Sequence, residues 1–312
     1  MDKSAILKRL VRIFVTLIGV TFISFALIYL APGDPIRTMY LASGNMPNEE
    51  IIEQTREAMG FNKPFYEQYA NWIFNIFKGD FGESISLNRP VTDVVFTRLT
   101  NSLQLAISSL LLMILVSVPL GILAAIKENK FWDYVIRLFT FVGISMPGFL
   151  VGTILLYVVA LRLKLIPVIA VGGGIEMLIL PSVTLAFSMS AKYIRQIRAI
   201  VIEELQSGYV VGARARGIKF SQIIIRDIMP NALPPLVTLL ALSFGSLLSG
   251  VAVIEVIFSY PGIGSLAVDA ISSYDYPLIQ AYVLLISLVY MSVNLIVDIS
   301  YQFLDPRIAR GI

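Results

Sequence analysis

Five stretches of this chain carry no charged side chain, and each is long enough to cross a bilayer as one helix. They are Ile13–Gly33, Leu99–Ile126, Leu138–Leu161, Ile228–Ile254 and Tyr276–Val297, of 21, 28, 24, 27 and 22 residues. About 20 helical residues cover the hydrocarbon thickness. In hydrocarbon every backbone N–H and C=O must be satisfied within the protein, so runs of this length read as helices. Charged residues are only 14% of the 312, against about 25% in soluble proteins. A sixth span is weaker, since Met177–Ala191 offers 15 uncharged residues between Glu176 and Lys192. Its apolar pattern nevertheless continues through Tyr193, Ile194, Ile197, Ile200 and Val201. A helix from near Ile179 would leave the bilayer with Lys192, Arg195 and Arg198 on one side, their stems snorkelling to the surface. The chain reads as an all-α polytopic membrane protein with six transmembrane helices.

Charge sets the expected orientation. Lys3, Lys8, Arg9 and Arg12 precede the first span, and seven basic residues lie from Lys192 to Arg226. Placing both termini in the cytoplasm puts these inside, with Lys127, Lys130, Arg307 and Arg310. The short outer connections then hold only Arg162 and Lys164 after span three, and no basic residue across Ser259–Asp275. This is the positive-inside pattern. The first run reads as a span and not a cleaved signal peptide, because it ends in Ala31-Pro32-Gly33-Asp34 without a small-x-small site and further spans follow.

Several chemistries are excluded. There is no cysteine and no histidine, which removes disulfides, thiolate metal sites, the familiar zinc sites and His-based triads. Gly172-Gly173-Gly174 lacks the lysine and context of a phosphate loop. No motif supports nucleic-acid binding, and the basic balance follows from topology. The residues offer no enzyme site and no metal site.

The external segment from Pro32 to Arg98 reads as an ordered cap. Asn48 is placed to cap a helix through Met59, with Glu49 and Glu50 favourable in its first turn. Gly60-Phe61-Asn62-Lys63-Pro64 breaks that helix, and Phe65–Phe77 resumes an aromatic amphipathic pattern. Within the spans, Pro119 and Gly121 interrupt the second, and Gly143, Ser145, Pro147, Gly148 and Gly152 cluster in the third. Small residues permit close helix packing, and the denser cluster is also a candidate pore-facing kink, bringing in Ser145 and Pro147. Glu255, Asn294 and Asp298 are polar groups at membrane depth, which face a bundle interior or an aqueous path. For Glu255 a structural bond to the following loop and a place on the path both stay open.

The most specific segment is Glu203–Pro235. Glu203–Val211 suits a short amphipathic helix, followed by Gly212-Ala213-Arg214-Ala215-Arg216-Gly217 and by helix-prone Phe220–Met229 before Pro230. The small residues would let another protein approach the backbone, and Arg214 and Arg216 offer fixed charge. Contact with anionic membrane lipid is the plainer alternative.

This segment resembles that of the permease subunits of bacterial ATP-binding-cassette importers, and more closely the first permease of the dipeptide, oligopeptide and nickel uptake family. Ala213, Gly217 and Pro230 occupy the family pattern, with Met229 in place of the usual leucine; Gly208 and Pro230 replace an acidic residue and an arginine. Further matches, in order, are Pro32-Gly33-Asp34-Pro35, Met59–Pro64, Gly79–Ser84, Arg89-Pro90-Val91, Ser145–Phe149, Glu255–Gly264, Asn294–Asp298 and Asp305-Pro306-Arg307. The resemblance implies a type I importer permease fold: a cytoplasmic segment 1–12, a first span 13–33, an external loop subdomain 34–98, and a core 99–312 with five spans and a coupling segment 203–230. It implies a second homologous permease, two cytoplasmic ATPase subunits that hold the ATP and magnesium, and an extracellular or periplasmic solute-binding protein. Tyr209, Ala213, Arg214, Ala215, Arg216, Gly217, Pro230 and Asn231 would form the ATPase coupling surface, and Ser145, Pro147, Glu255 and Asn294 the translocation path or gate. Peptide is the expected cargo, with nickel or a metal chelate as the alternative and an ATPase-independent secondary transporter as the alternative of another class.

Overall fold

The computed structural model describes residues 3–30, 33–42, 46–167 and 174–304. Pro32, Gly172, Gly173, the Asp305-Pro306-Arg307 motif and the side chain of Asp298 lie outside the described residues. All regular elements among these residues are helical, apart from an isolated bridge between Glu83 and Pro90. Five helical stretches are long and apolar enough to span a membrane, and a sixth forms if a bent pair counts as one. The chain divides into two compact units, Met1–Ser102 with Pro261–Ser292, and Leu103–Tyr260 with Val293–Ile312.

In the first unit, α1 (Lys3–Leu30) is followed by three short helices, α2 (Pro35–Ala42), α3 (Glu49–Ala58) and α4 (Phe65–Phe77). Asn48 caps α3 as expected, its side chain accepting from the Ile51 N–H at 3.1 Å. Gly60, at φ +75°, closes that helix: the Phe61 N–H bonds the Arg56 carbonyl and the Gly60 N–H bonds that of Glu57, the paired bonds of a left-handed C-terminal cap. The helix α2 was not foreseen; Asp34 caps it, its carboxylate accepting from the Ile36 N–H at 3.0 Å. Aromatic rings fasten α4 to α1, with Phe22 and Phe65 edge to face at 5.4 Å and Phe25 and Tyr69 at 5.5 Å. The Tyr69 hydroxyl also meets that of Thr21 at 3.0 Å.

The start of α5 (Val91–Ile126) joins this unit to later sequence through side chains that cap distant backbone. Ser102 Oγ accepts from the Ile263 N–H at 2.8 Å, at the beginning of α12 (Ile263–Ser272). Asp275 is fully buried. It accepts from Ser84 Oγ at 2.6 Å and from the N–H and Oγ of Ser86, both at 2.8 Å, and it caps α13 (Tyr276–Leu304) through Leu278 N–H. Four donors on one carboxylate keep it satisfied without a cation.

The second unit is built around α8 (Glu176–Leu205), which packs on α6 (Phe131–Ser145), α7 (Gly148–Leu155) and α11 (Met229–Ile257). A methyl added at Gly143 would lie 2.7 Å from the Ala191 Cβ, and one at Gly121 would lie 2.7 Å from the Ile197 Cβ. At Gly152 it would meet Thr184 and Phe258 at 3.2 Å. Glycine therefore sets the approach of three helices to α8, which is the packing role open to it in membrane bundles. The third uncharged run is not one straight span: α6 and α7 meet at an angle of 100°. Met146 is extended and Pro147 has no N–H to continue the ladder. Beyond α7, Leu156–Arg162 is a π-helical stretch.

Arg198 was expected to snorkel to lipid, and the structure corrects this. Its Nε and Nη2 bond the two oxygens of Asp133 at 2.7 and 2.8 Å, and the Asn129 N–H adds a third bond to that carboxylate at 2.9 Å. Asp133 is completely buried, so the guanidinium turns inward to pair it. Gly143→Ala is expected to destabilise the protein by about 1–3 kcal/mol through overpacking, read as a lower thermal midpoint in detergent. Adding Ala191→Gly should recover most of the loss. An unchanged midpoint in the single variant would show that the seam has slack.

Candidate functional site

The segment singled out in the sequence lies wholly in the second unit and is more helical than expected. Helix α8 continues to Leu205, and only Gln206 and Ser207 separate it from α9 (Gly208–Ala215). The short helix thus begins at Gly208 and includes Gly212–Ala215, where the sequence suggested a helix over 203–211 and a small-residue stretch after it. Local bonding explains the shift: Ser207 is extended, at φ −68° and ψ 149°, while its Oγ bonds back to the Glu204 carbonyl at 2.6 Å. After α9, α10 (Phe220–Ile223) leads into a π-helical turn Ile224–Ile228 and directly into α11. Pro230 does not stop this helix. It lies just past the π-helical turn Ile224–Ile228, where the regular i to i−4 bonding of the helix is already interrupted.

Two faces of α9 differ sharply. Val210 and Ala213, three residues apart, are buried in a core with Val201, Ile223, Ile228 and Ala232. Ala213, expected at the coupling surface, is therefore turned into the chain's own interior. The rest of the helix surface and its cap expose Tyr209, Val211, Gly212, Arg214, Ala215 and Arg216. A side chain added at Gly208, Gly212 or Gly217 would meet nothing within 4 Å. The glycines leave open ground on the outside of the helix.

Each end of this face is held. The Arg214 guanidinium lies over the Phe220 ring at 4.9 Å, a cation–π contact. Gly217 has φ +75°, with its N–H on the Arg214 carbonyl at 2.9 Å and the Ile218 N–H on that of Ala213 at 3.2 Å. These are again the bonds of a left-handed C-terminal cap, a conformation in which glycine avoids strain. The Tyr209 hydroxyl bonds the Glu204 carboxylate. Burial first and that carboxylate next push the Tyr209 phenol above its ordinary range, with Asn231 acting against them through its own hydrogen bond. Asn231 Nδ2 also bonds the Asp227 carbonyl at 2.9 Å. The fold thus gathers Tyr209, Asn231 and the Arg214–Gly217 turn around one short helix. Val210 as inward anchor was legible only in its spacing from Ala213, and the Glu204 and Phe220 partners had no signal in the motif.

The other expected residues are dispersed within the second unit. Ser145 and Pro147 flank the 100° break and are exposed, but the Ser145 hydroxyl is committed to the Phe141 carbonyl at 2.8 Å. A mainly apolar cavity of about 320 Å³ borders the break, lined by Gly148, Phe149, Ser188, Met189 and Leu247 among others. Glu255 is fully buried near the end of α11. Burial and then the Glu255 charge raise the phenol of Tyr260, three residues beyond that helix. Asn294 is half-buried on α13. Among the described residues no group of three or more Asp or Glu side chains could hold a metal ion.

Comparison with known proteins covers nearly the whole chain. Residues 117–310 match the family described as binding-protein-dependent transport system inner membrane component, and residues 3–114 match the N-terminal region of such membrane components. The probable D,D-dipeptide transport system permease protein DdpB of Escherichia coli (strain K12) is 34% identical, over 94% of this chain and 94% of its own. The glutathione transport system permease protein GsiC of the same strain is 35% identical, over 97% of this chain and 98% of its own. An inward-facing structure of the MetNI methionine ABC transporter shares the fold at a TM-score of 0.57 and 14% identity, covering 68% of this chain and 96% of that one. By its family matches and these full-length relatives, the chain belongs to the inner-membrane components of binding-protein-dependent transport systems.

Proposed function

We propose that this chain is the first of two permeases in an ATP-driven peptide importer, with both termini in the cytoplasm and α9 as the coupling helix. Membership of the family makes it a transport permease subunit and not an enzyme. The observation that carries the coupling role is the two-faced α9: Val210 and Ala213 are locked into the core while the Gly212 side stands open. A partner ATPase would seat on the open face. Its closure on ATP and magnesium would push α9, and through Val210 and Val201 would push α8.

Helix α8 suits the transfer of such a push. Between Val201 and Thr184 it runs about 26 Å at 1.5 Å per residue, ending where Gly152 and the α6–α7 break pack on it. Movement there would open or close a path beside Ser145 and Pro147, with Glu255 and Asn294 as further gate residues. This is a rigid-body transition of packed helices. A solute-binding protein would deliver cargo on the other face. Peptide is favoured over nickel or a chelate because the named cargoes of the two relatives, D,D-dipeptide and glutathione, are amide-linked. Family membership favours this reading over an ATPase-independent secondary transporter.

Two experiments test it. Gly212→Glu adds a charged side chain where nothing crowds it, and glutamate is a better helix former than glycine by roughly 0.5–1 kcal/mol. The variant should insert normally yet lose at least about tenfold in peptide uptake, as expected from more than about 1.4 kcal/mol of lost contact, with weaker ATPase copurification. Gly217→Asp should act in the same direction, with added strain from its positive φ. Full uptake with normal copurification in Gly212→Glu would rule out α9 as the coupling surface. Because the chain has no cysteine, single cysteines report orientation. Lys78→Cys should react with an impermeant maleimide in intact cells, and Gly212→Cys only after permeabilisation. The reverse pattern would invert the topology.

A further inference from the structure

Helix α4 carries three stripes, and the first unit accounts for two of them. Successive residues turn by about 100°, so Phe65, Tyr69, Trp72 and Ile76 fall on one side, and the rings of the first three pack on α1. Glu67, Gln68, Asn71, Asn75 and the capping Lys78 form a polar stripe. Its three amides line a cavity together with Asp34, Arg56 and Glu57, so the charged helix α3 lies on that side. The third stripe is apolar: Tyr66, Ala70, Ile73, Phe74 and Phe77. Among the described residues little covers it, and Tyr66, Phe74 and Phe77 are 72, 61 and 76% exposed.

The depth of α4 follows from what it touches on α1. The apolar part of α1, Val11–Leu30, has 20 residues, about 30 Å as a helix, which matches the hydrocarbon thickness of a bilayer. Phe22 and Phe25, whose rings meet those of Phe65 and Tyr69, precede Leu30 by eight and five residues, or about 12 and 8 Å. The Tyr69 hydroxyl reaches further, meeting Thr21 Oγ1 at 3.0 Å and donating to the Ile18 carbonyl at 3.3 Å. A helix fastened at this level of a span lies below the membrane surface. Within Phe65–Phe77 the only charged residue is Glu67, which sits on the polar stripe and bonds Lys63 at 2.7 Å.

We propose that α4 is embedded in one leaflet of the bilayer, its third stripe against phospholipid acyl chains and its polar stripe toward the headgroups. In the topology proposed above this is the outer leaflet, so part of the segment read as an external cap is a membrane-embedded helix. Opposed apolar and polar faces are the pattern of a helix lying in the interface. The Lys78 stem, whose ammonium stands 4.1 Å from the Phe74 ring centre, suits snorkelling from that depth. The stripe also continues the uncovered surface of the span itself, since Phe22 and Ile23 of α1 are exposed beside the contact with α4. Lipid fits this surface better than a second permease does. Membrane helices approach one another through small residues, whereas the stripe sets three aromatic rings and an isoleucine around one alanine.

The absence of cysteine lets single cysteines carrying bimane report each stripe. The full chain, alone and in the importer assembled with cysteine-free partners, is placed in phosphatidylcholine nanodiscs. Ala70→Cys and Phe74→Cys should lose most of their emission to lipid bearing a nitroxide in its acyl chain, and little to aqueous iodide. Asn71→Cys and Lys78→Cys should show the reverse, although Ala70 and Asn71 are neighbours in sequence. Ala70→Cys removes no ring, so it reads the stripe even if Phe74→Cys disturbs α4. Iodide quenching at position 70, or equal behaviour at positions 70 and 71, would place the stripe in water and overturn the proposal. Loss of nitroxide quenching on assembly would overturn it too, because a partner protein would then cover the stripe. The inference rests on α1 crossing the bilayer. Quenching from lipid or water reads the same on either side of the membrane, so an inverted topology or a failed coupling role for α9 would leave it intact.

Discussion

The second unit depends on how closely α8 is approached by its neighbours. In lipid there is no hydrophobic drive to bring apolar helices together, so association rests on van der Waals contact between surfaces that fit. Here the fit has no spare volume, since a methyl at Gly121 or Gly143 would stand 2.7 Å from a side-chain carbon of α8. The polar contacts reinforce the same helix. Tyr193 Oη donates to the Leu239 carbonyl at 2.7 Å, and Ser182 meets Ser108 at 2.6 Å. Near its other end, Arg198 compensates the buried Asp133. Removing one partner of such a pair typically costs about 3–5 kcal/mol, so α6 and α8 are joined as one body.

The first unit meets the same requirement with different means. Its non-spanning helices end where backbone donors and acceptors would otherwise be left open, and side chains from distant sequence close them. Ser102 supplies the acceptor that Gly262 cannot give to α12. Asp275 collects donors from a loop about 190 residues earlier, through Ser84 and Ser86. The exposed ion pair between Arg37 and Glu49 contributes little beside these, because exposed pairs are worth at most about 1 kcal/mol.

What could be read in the sequence was local or periodic. Uncharged runs marked the spans, Asn48 marked the start of α3, and the aromatic pattern over Phe65–Phe77 gave α4 with its observed limits. Gly217 was read only as a small residue open to a partner, although the cap it forms is defined by its own neighbours. Contacts across long separations were not legible. Nothing in the residues near Asp133 points to Arg198, 65 positions away, and the spacing of Lys192, Arg195 and Arg198 suited lipid equally well. The start of α9 was missed for a subtler reason. Glu203, Glu204 and Leu205 are all good helix formers and continue α8, and the break waits for Ser207 to turn extended.

A consequence for the proposed transport cycle follows from where the chain is rigid and where it is not. A zero-clearance contact such as Gly143 on Ala191 resists sliding, because a small axial shift drives larger neighbours into the notch. A push on α9 would therefore carry α8 and α6 together. Compliance would gather where hydrogen bonding is interrupted, and the sharpest interruption is Met146–Pro147, with α7 turned 100° beyond it. The adjacent cavity of about 320 Å³ leaves room for such a change beside Phe149 and Met189. Methionine adapts to altered packing more readily than branched side chains do. In this arrangement Ser145 and Pro147 mark where α6 and α7 bend, and any contribution of theirs to the proposed path would be geometric before it is chemical.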